Sequence, residues 1–527
     1  MASSLSRRDV LQRSAALGFA AAVGGAGCDG ETVSRVGSGA GTSPSSTTPR
    51  RGGRIRVASL SSSTADTLDP AKGALSTDYV RHYMLYSGLT QYDAELRPQP
   101  ALAEELLTDD QRVWTVRLRR GIEFHDGKPL MAADVVHSLL RHKVAATGSK
   151  LKTIADQFED VAAVGPREVR ITLVVPNVDL PAILAASHFL IVQANDASSK
   201  AGIGCGPYRL EEFKPGVRTV VARNERYWRN GRPYLDQIEL IGIPDEMSRV
   251  NALLSGDVHL INAVDPRSTR RIRESSGHVL LPTKSGLYTN LIMRQDAPPT
   301  ADAHFVLAMK HLLDRETMRR ALFRGYATIA NDQPVPPGHP FYAAGLPQRV
   351  YDPERARFHL KRAGLLGIRL PMYASPAATG SVDMAALLQQ SAMRAGINLA
   401  VNRVPADGYW SNHWMKHPLT FGNVNPRPTV DLLFSTLFKS DAPWNESGWR
   451  NERFDQLLLA ARGEANEAKR RQMYVDMQVL IHERGGVGIP LFIDFIDAHD
   501  QRLRGFGRIP TGGLMGYQFA EHVWLDA

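Results

Sequence analysis

The chain has 527 residues, enough for three or four units of about 150 residues each. Hydrophobic residues make up 43% and charged residues 22%, as in ordinary globular proteins, and the two cysteines, Cys28 and Cys205, exclude a disulfide scaffold or a cysteine-rich metal centre. Lys and Arg exceed Asp and Glu to give +9, a balance open to nucleic acid, an anionic membrane or an acidic ligand until the N-terminus is read.

Ser6-Arg7-Arg8-Asp9-Val10-Leu11-Gln12 is a twin-arginine pattern, followed by a weakly apolar run from Ala15 to Val23. That run is far shorter than the roughly 20 residues a spanning helix needs, so it reads as the apolar part of an export signal. Export argues against a nucleic-acid partner. Gly25-Ala26-Gly27-Cys28 resembles a lipoprotein cleavage site with Cys28 lipidated, although Gly25 stands where Leu is usual. Cleavage near Ala26 would instead release a soluble protein. Residues 29–53 are rich in Gly, Ser, Thr and Pro with few apolar side chains, the composition of a disordered tether. Signal and tether together leave about +6 on the body, too little for a nucleic-acid surface.

No window after residue 30 has 18 consecutive apolar residues, so no transmembrane helix is expected there. Arg54–Ala58 alternates as a first strand, and 77–89 reads as a helix with Val80, Tyr83, Met84 and Leu89 near 3.6 spacing. Residues 113–118 and 169–173 alternate as strands, and Asp134–His142 reads as a helix. A long helical pattern covers His304–Gly325, and another covers Glu467–Glu483, closed by Gly485-Gly486. Interleaved strands and helices predict an α/β architecture.

Several stretches resemble family 5 of the extracytoplasmic solute-binding proteins, the peptide/nickel/opine class serving ABC importers. They are Leu68-Asp69-Pro70, Tyr86-Ser87-Gly88-Leu89-Thr90, Pro98 to Ala103, and the long block from Trp114 to Pro129 followed by Ala132-Ala133-Asp134-Val135. Further on come Gly204-Cys205-Gly206-Pro207, with Cys205 in place of the usual Thr, then Asn224 to Trp228, Pro233 to Asp236 and Leu312 to Glu316. The resemblance implies a two-lobed periplasmic-binding-protein fold of type II, with the ligand between the lobes. One lobe would use 54–293 plus 488–527 with an extra subdomain near 90–202, and the other 294–487. Crossings are expected near Met293-Arg294 and at Gly485 to Gly488, where glycine can absorb hinge rotation.

Such a function needs a cleft that binds better when closed, and no reacting groups. No nucleophile elbow, zinc-peptidase motif or Walker-type loop is present, so neither catalysis nor a cofactor is expected. His413 and His417 have the spacing of a helical metal pair but lack an evident third ligand, and read as surface or packing residues.

Peptide binders of the family hold the ligand's α-amino group with an aspartate in the second lobe. At the matching stretch this chain has Pro426 or Arg427, and Asp431 lies too far along, so the resemblance to α-amine binders breaks there. Arg427, stiffened by Pro426 and Pro428, is a mount for a ligand carboxylate or, alternatively, for an inter-lobe salt bridge. Asp494 would accept from a ligand amine or serve as a cap. Tyr288, Trp444 and Asn445 are candidates for the cleft wall, with core packing as the other reading. Ala74-Leu75-Ser76 lies where the family offers backbone to an extended ligand. Cys205 reads as a free buried thiol.

These residues predict a monomeric periplasmic protein, exported by the twin-arginine route, that captures a short peptide or opine-like anionic solute for an inner-membrane ABC permease with its cytoplasmic ATPase. The membrane would enter only through Cys28. A metal-chelate binder, an exported hydrolase and a sensory module on the same scaffold are the rival readings.

Overall fold

The computed structural model describes residues 48–526 apart from Ser62, Asn195 and Pro443. Arg7, Arg8, Cys28 and most of the tether lie outside the described residues.

Arg54–Ser59 begins with alternating exposed and buried residues and then runs fully buried, as a central strand must. It pairs in parallel with Gln237–Gly242 on one side and Leu260–Ile261 on the other. An antiparallel meander, Tyr208–Lys214 and Arg218–Arg223, extends the first side. On the second side Leu491–Asp500 pairs with Leu260–Ile261 and with the long strand His278–Met293. The far half of that long strand instead pairs with Leu419–Val424 and Val487–Gly488. Leu491–Asp500 likewise takes Ala327–Ile329 as a second neighbour. Among the described residues these strands make one ten-stranded sheet, and its two ends share only the pair His278–Met293 and Leu491–Asp500.

Register along this shared pair breaks at one place. Thr283 faces Phe495 and Leu287 faces Ile493, so Lys284, Ser285 and Gly286 together oppose Asp494. The bulge would strand backbone groups, and Ser285 replaces their partners: its hydroxyl donates to Ile493 O at 2.7 Å and accepts from Leu287 N at 2.9 Å. The change of neighbours therefore falls at residues 283–287 and 493–495. The expected crossings near Met293 and Gly485–Gly488 lie in segments already paired with each other, Ile292 with Val487 and Leu291 with Gly488.

The expected strand 113–118 is the second strand of a separate four-stranded antiparallel sheet, in the order Ala103–Leu107, Val113–Leu118, Glu168–Leu173 and Phe158–Gly165. Trp114, Val116, Leu118, Val169, Ile171 and Leu173 fill its core beneath the helix Ala132–Leu140. Around the other end of the large sheet, Ala303–His311, Pro353–Arg362 and Ser381–Ala395 enclose a core that includes the parallel pair Arg369–Ala374 and Asn398–Arg403. Val430–Leu437, Glu452–Gly463 and Glu467–Arg484 build a second core beside it. This is the mixed α/β, two-lobed arrangement that the sequence predicts. No helix among the described residues is long and apolar enough to cross a membrane.

Two helices end earlier than their periodicity suggests. The helix expected at 77–89 is Ser76–Leu85, because Leu85 O accepts from Gly206 N at 3.0 Å and the chain turns extended at Tyr86. A Cβ on Gly206 would stand 2.3 Å from the Leu85 carbonyl carbon, which explains the glycine of that turn. The pattern from His304 to Gly325 is two helices, Ala303–His311 and Arg315–Ala321. Asp314 caps the second by accepting from Thr317 N, and Arg315 turns inward onto buried Asp332 with bonds of 2.7 and 2.8 Å.

Candidate ligand-binding site

A cavity of about 450 Å³ opens where the two ends of the large sheet meet. Its wall includes Lys284 and Gly286 of the bulge, Glu95 from the turn between the paired short strands Thr90–Tyr92 and Pro98–Pro100, and Pro336, His339 and Arg427 from the other side. That volume suits a small organic solute. Burial pushes His339 down to about 4, so its ring is neutral at pH 7 and the wall carries two cations against one acid.

Arg427 follows the strand Leu419–Val424 and precedes the helix Val430–Leu437, whose first turn is capped by Thr429 accepting from Leu432 N at 3.1 Å. Pro426 and Pro428 fix the backbone on both sides. The half-buried guanidinium stands 5.5 Å from the centre of the Trp444 ring, and its Nη1 donates to Asn425 O at 3.4 Å. Among the described residues no carboxylate lies within ion-pair distance of it. Burial pulls its pKa down from the ordinary value, opposed by Tyr288, Tyr79 and Glu446, but a guanidinium stays charged throughout the physiological range.

Glu446 is the acid nearest in effect, and it is committed elsewhere. Its carboxyl accepts from Asn290 Nδ2 at 2.7 Å and Trp414 Nε1 at 2.8 Å. Gly422 passes so close that a Cβ there would stand 2.2 Å from Glu446 Oε1. Burial pushes this carboxyl up to about 7, so near neutrality it is only partly ionised and leaves Arg427 under-neutralised.

The other expected site residues separate into distinct roles. Asp494 faces the bulge; burial pushes it up to about 6 against the pull of Lys284, and its Oδ1 has no hydrogen-bond partner. Trp444 is 44% exposed and supports Arg427. Tyr288, only 1% exposed, packs edge-on to Phe492 in the core and is not part of this cavity's wall. Asn445 staples its own turn, donating to Trp449 O at 2.6 Å. Ala74, Leu75 and Ser76 form no strand edge: Ala74 N and Leu75 N both donate to Asp78, and Ser76 Oγ bonds Ser59 and Ser61.

Asp431 is paired with Arg462 at 3.0 Å and is not part of this cavity's wall. His413 and His417 contact each other at 3.1 Å, and His417 stacks on Tyr373. Among the described residues no group of three His, Cys, Asp or Glu is arranged for a metal ion. Cys205 is a buried free thiol.

Lys284, Glu95, His339 and Pro336 were not singled out from the sequence. The strand pattern around Lys284 carries no mark of the bulge that turns it toward the cavity. Glu95 sits in a polar turn like many others. Only the Pro334-Val335-Pro336-Pro337-Gly338 run, a stiff connector of the kind that forms cavity walls, was a usable signal.

A cleft with a few convergent polar groups between two lobes sharing a pair of strands is the architecture of a solute receptor. The comparisons agree. The model for bacterial extracellular solute-binding proteins, family 5, matches residues 97–446, and the chain belongs to that family. It is 27% identical over 471 residues to the glutathione-binding protein GsiB of Escherichia coli K12, covering 85% of this chain and 91% of that one. Its fold is similar to that of the periplasmic binding protein DppA of Helicobacter pylori in complex with the peptide STSA (TM-score 0.77, 21% identity, 91% of this chain and 99% of that one). It is also similar to AgaA of A. tumefaciens R10 in complex with agropinic acid (TM-score 0.76, 21% identity, 90% and 99%). The chain is a solute-binding protein, and its ligand is a peptide or another small molecule.

Proposed function

We propose that this chain is the extracytoplasmic receptor of an ABC importer, a monomer that encloses one small anionic solute between its lobes and hands it to an inner-membrane permease. In this reading one lobe comprises 54–283 and 495–527 with the extra subdomain at 90–202, and the other comprises 287–493. Rotation is taken up at the bulge 284–286 opposite Asp494, where the strands change neighbours, in place of boundaries at 293 and 488. The solute is a short peptide or an opine-like conjugate whose carboxylate meets Arg427. The observation that carries the reading is the Arg427 guanidinium, facing the cavity without an ion-pair partner among the described residues. An oriented, bidentate donor of this kind suits a carboxylate. GsiB is named for glutathione and AgaA was solved with agropinic acid, both carboxylic acids, which supports an anionic ligand.

The test is calorimetric titration of the mature protein with glutathione, agropinic acid and short peptides, alongside native mass spectrometry for a co-purified solute. For whichever ligand binds, Arg427→Ala is expected to lose roughly 2–3 kcal/mol, about a hundredfold in affinity. Retained affinity in that variant, or a purely cationic ligand, overturns the anion reading. Export by the twin-arginine route and tethering through Cys28 belong to the same proposal. The R7K/R8K variant is expected to remain in the cytoplasm, and normal export of it would refute that route.

A further inference from the structure

We propose that Asp179 and Arg470 form a latch that holds the two lobes together at a point the ligand does not touch. The proposal rests on lobe closure but not on the identity of the ligand or on the role of Arg427. The two residues are 291 positions apart. Asp179 follows the four-stranded sheet, on a loop held firmly to that sheet. Asn177 N donates to Gln111 O at 2.9 Å, Asn177 Nδ2 donates to Gln157 at 3.0 Å, and Asn177 Oδ1 accepts from Asp179 N at 2.9 Å. Arg470 lies near the start of Glu467–Arg484, in the core built around Tyr474 and Phe434.

Three hydrogen bonds hold the guanidinium of Arg470. Nη2 donates to Asp179 Oδ2 and, at 3.3 Å, to the Tyr474 hydroxyl, while Nε donates to Ala461 O at 3.1 Å. Side-chain exposures are 9% for Arg470 and 13% for Asp179, so the pair is largely shut off from water. Two further contacts join the same surfaces. Val178 N donates to Arg462 O at 3.1 Å, and a Cβ on Gly463 would stand 3.3 Å from Pro176 Cβ.

Opening the lobes would break all three contacts and rehydrate both charges. Neutralising one partner leaves the other charge buried and unpaired in the closed state only, so the open state gains. The latch also reaches toward the cavity without entering it. Arg470 stacks over Phe341 at 5.1 Å, and Phe341 packs against His339, a cavity-wall residue, with ring centres 5.6 Å apart. Asp179 and Arg470 are therefore positioning residues. They set the fraction of closed protein, and a smaller closed fraction weakens every ligand by the same factor.

The Pro176–Gly463 approach supplies the test, because it is close to the Cβ separation of a disulfide. In the exported protein carrying C28S, the pair P176C/G463C is oxidised without added ligand, and cross-linking is followed by gel mobility. Adding Arg470→Gln or Asp179→Asn is expected to slow cross-linking roughly tenfold, in proportion to the lost closed population. Small-angle scattering of the single variants, without the cysteines, is expected to give a larger radius of gyration than the parent. Unchanged cross-linking and unchanged dimensions in both variants would overturn the latch, even if either melts at a lower temperature. A merely structural role within one lobe would move the melting temperature alone. Failure of the Arg427 reading would leave these rates untouched.

Discussion

Ser285 bridges the bulge by donating to the Ile493 carbonyl at 2.7 Å while accepting from Leu287 N, so a single hydroxyl replaces two backbone partners in the strand pair common to both lobes. The arrangement holds the pair continuous while leaving it three residues against one, a geometry with more freedom to bend than a regular ladder.

Ser285→Ala is accordingly expected to destabilise the protein by about 1–3 kcal/mol, since it leaves a buried carbonyl and amide without partners. Urea unfolding monitored by circular dichroism measures this. An unchanged midpoint would mean that the hydroxyl is dispensable.

Around Arg427 the expected order of effects is graded. Trp444→Ala removes the ring beneath the guanidinium and is expected to weaken anion binding by about 1 kcal/mol, roughly fivefold. Arg427→Lys keeps the charge but loses the planar fork, and is expected to fall between that variant and Arg427→Ala. Titration with one anionic ligand across the three variants checks the order. If Arg427→Lys bound as well as the parent, bidentate recognition would be refuted.

Glu446 introduces a pH dependence. Its folded-state value of about 7 lies above its ordinary 4.5 because burial disfavours the ion. The protonated acid is thus favoured in the fold; its contribution to stability is complete below pH 4.5 and is lost as pH rises through about 7. Ionisation also adds a negative charge beside Arg427, so affinity for an anion is expected to fall several-fold from pH 6 to pH 8, with proton uptake on binding near pH 7. Calorimetry in two buffers of different ionisation enthalpy measures the uptake. Glu446→Gln should abolish its upper part, leaving only what Asp494 contributes near pH 6. Equal uptake in that variant would assign the proton elsewhere.

Cys205 is 1% exposed, and burial pushes its thiol well above the ordinary value. A thiol reagent is expected to leave the folded mature protein unmodified at pH 8 and to react with one thiol per chain once urea unfolds it, given a variant with C28S. Rapid labelling under native conditions would show the site to be open.

Local elements were legible from periodicity because nearest neighbours decide them. Val113–Leu118 alternates with its buried face inward, and the helix beginning at Glu467 runs one residue past its expected end to Arg484. The split at Asp314 was less legible, since Leu312 and Leu313 continue an apolar stripe and only the capping bond and the inward turn of Arg315 break it. At the site, Arg427 between two prolines stood out because its mount is local. Tyr288 and Asn445 could be read from the sequence either as cleft wall or as packing residues, because an aromatic or an amide has the same chain neighbours in a wall as in a core.

The sequence by itself determined the α/β class, the family and the strands and helices whose burial pattern is written within ten residues. Only the tertiary structure decided where the lobes exchange strands, which side chains face the cavity, and which charges find partners. The physical reason is distance along the chain. The bulge at Lys284 exists only against Asp494, the freedom of Arg427 depends on Glu446 being held by Asn290 and Trp414, and Asp179 meets Arg470 only after nearly three hundred residues have folded between them.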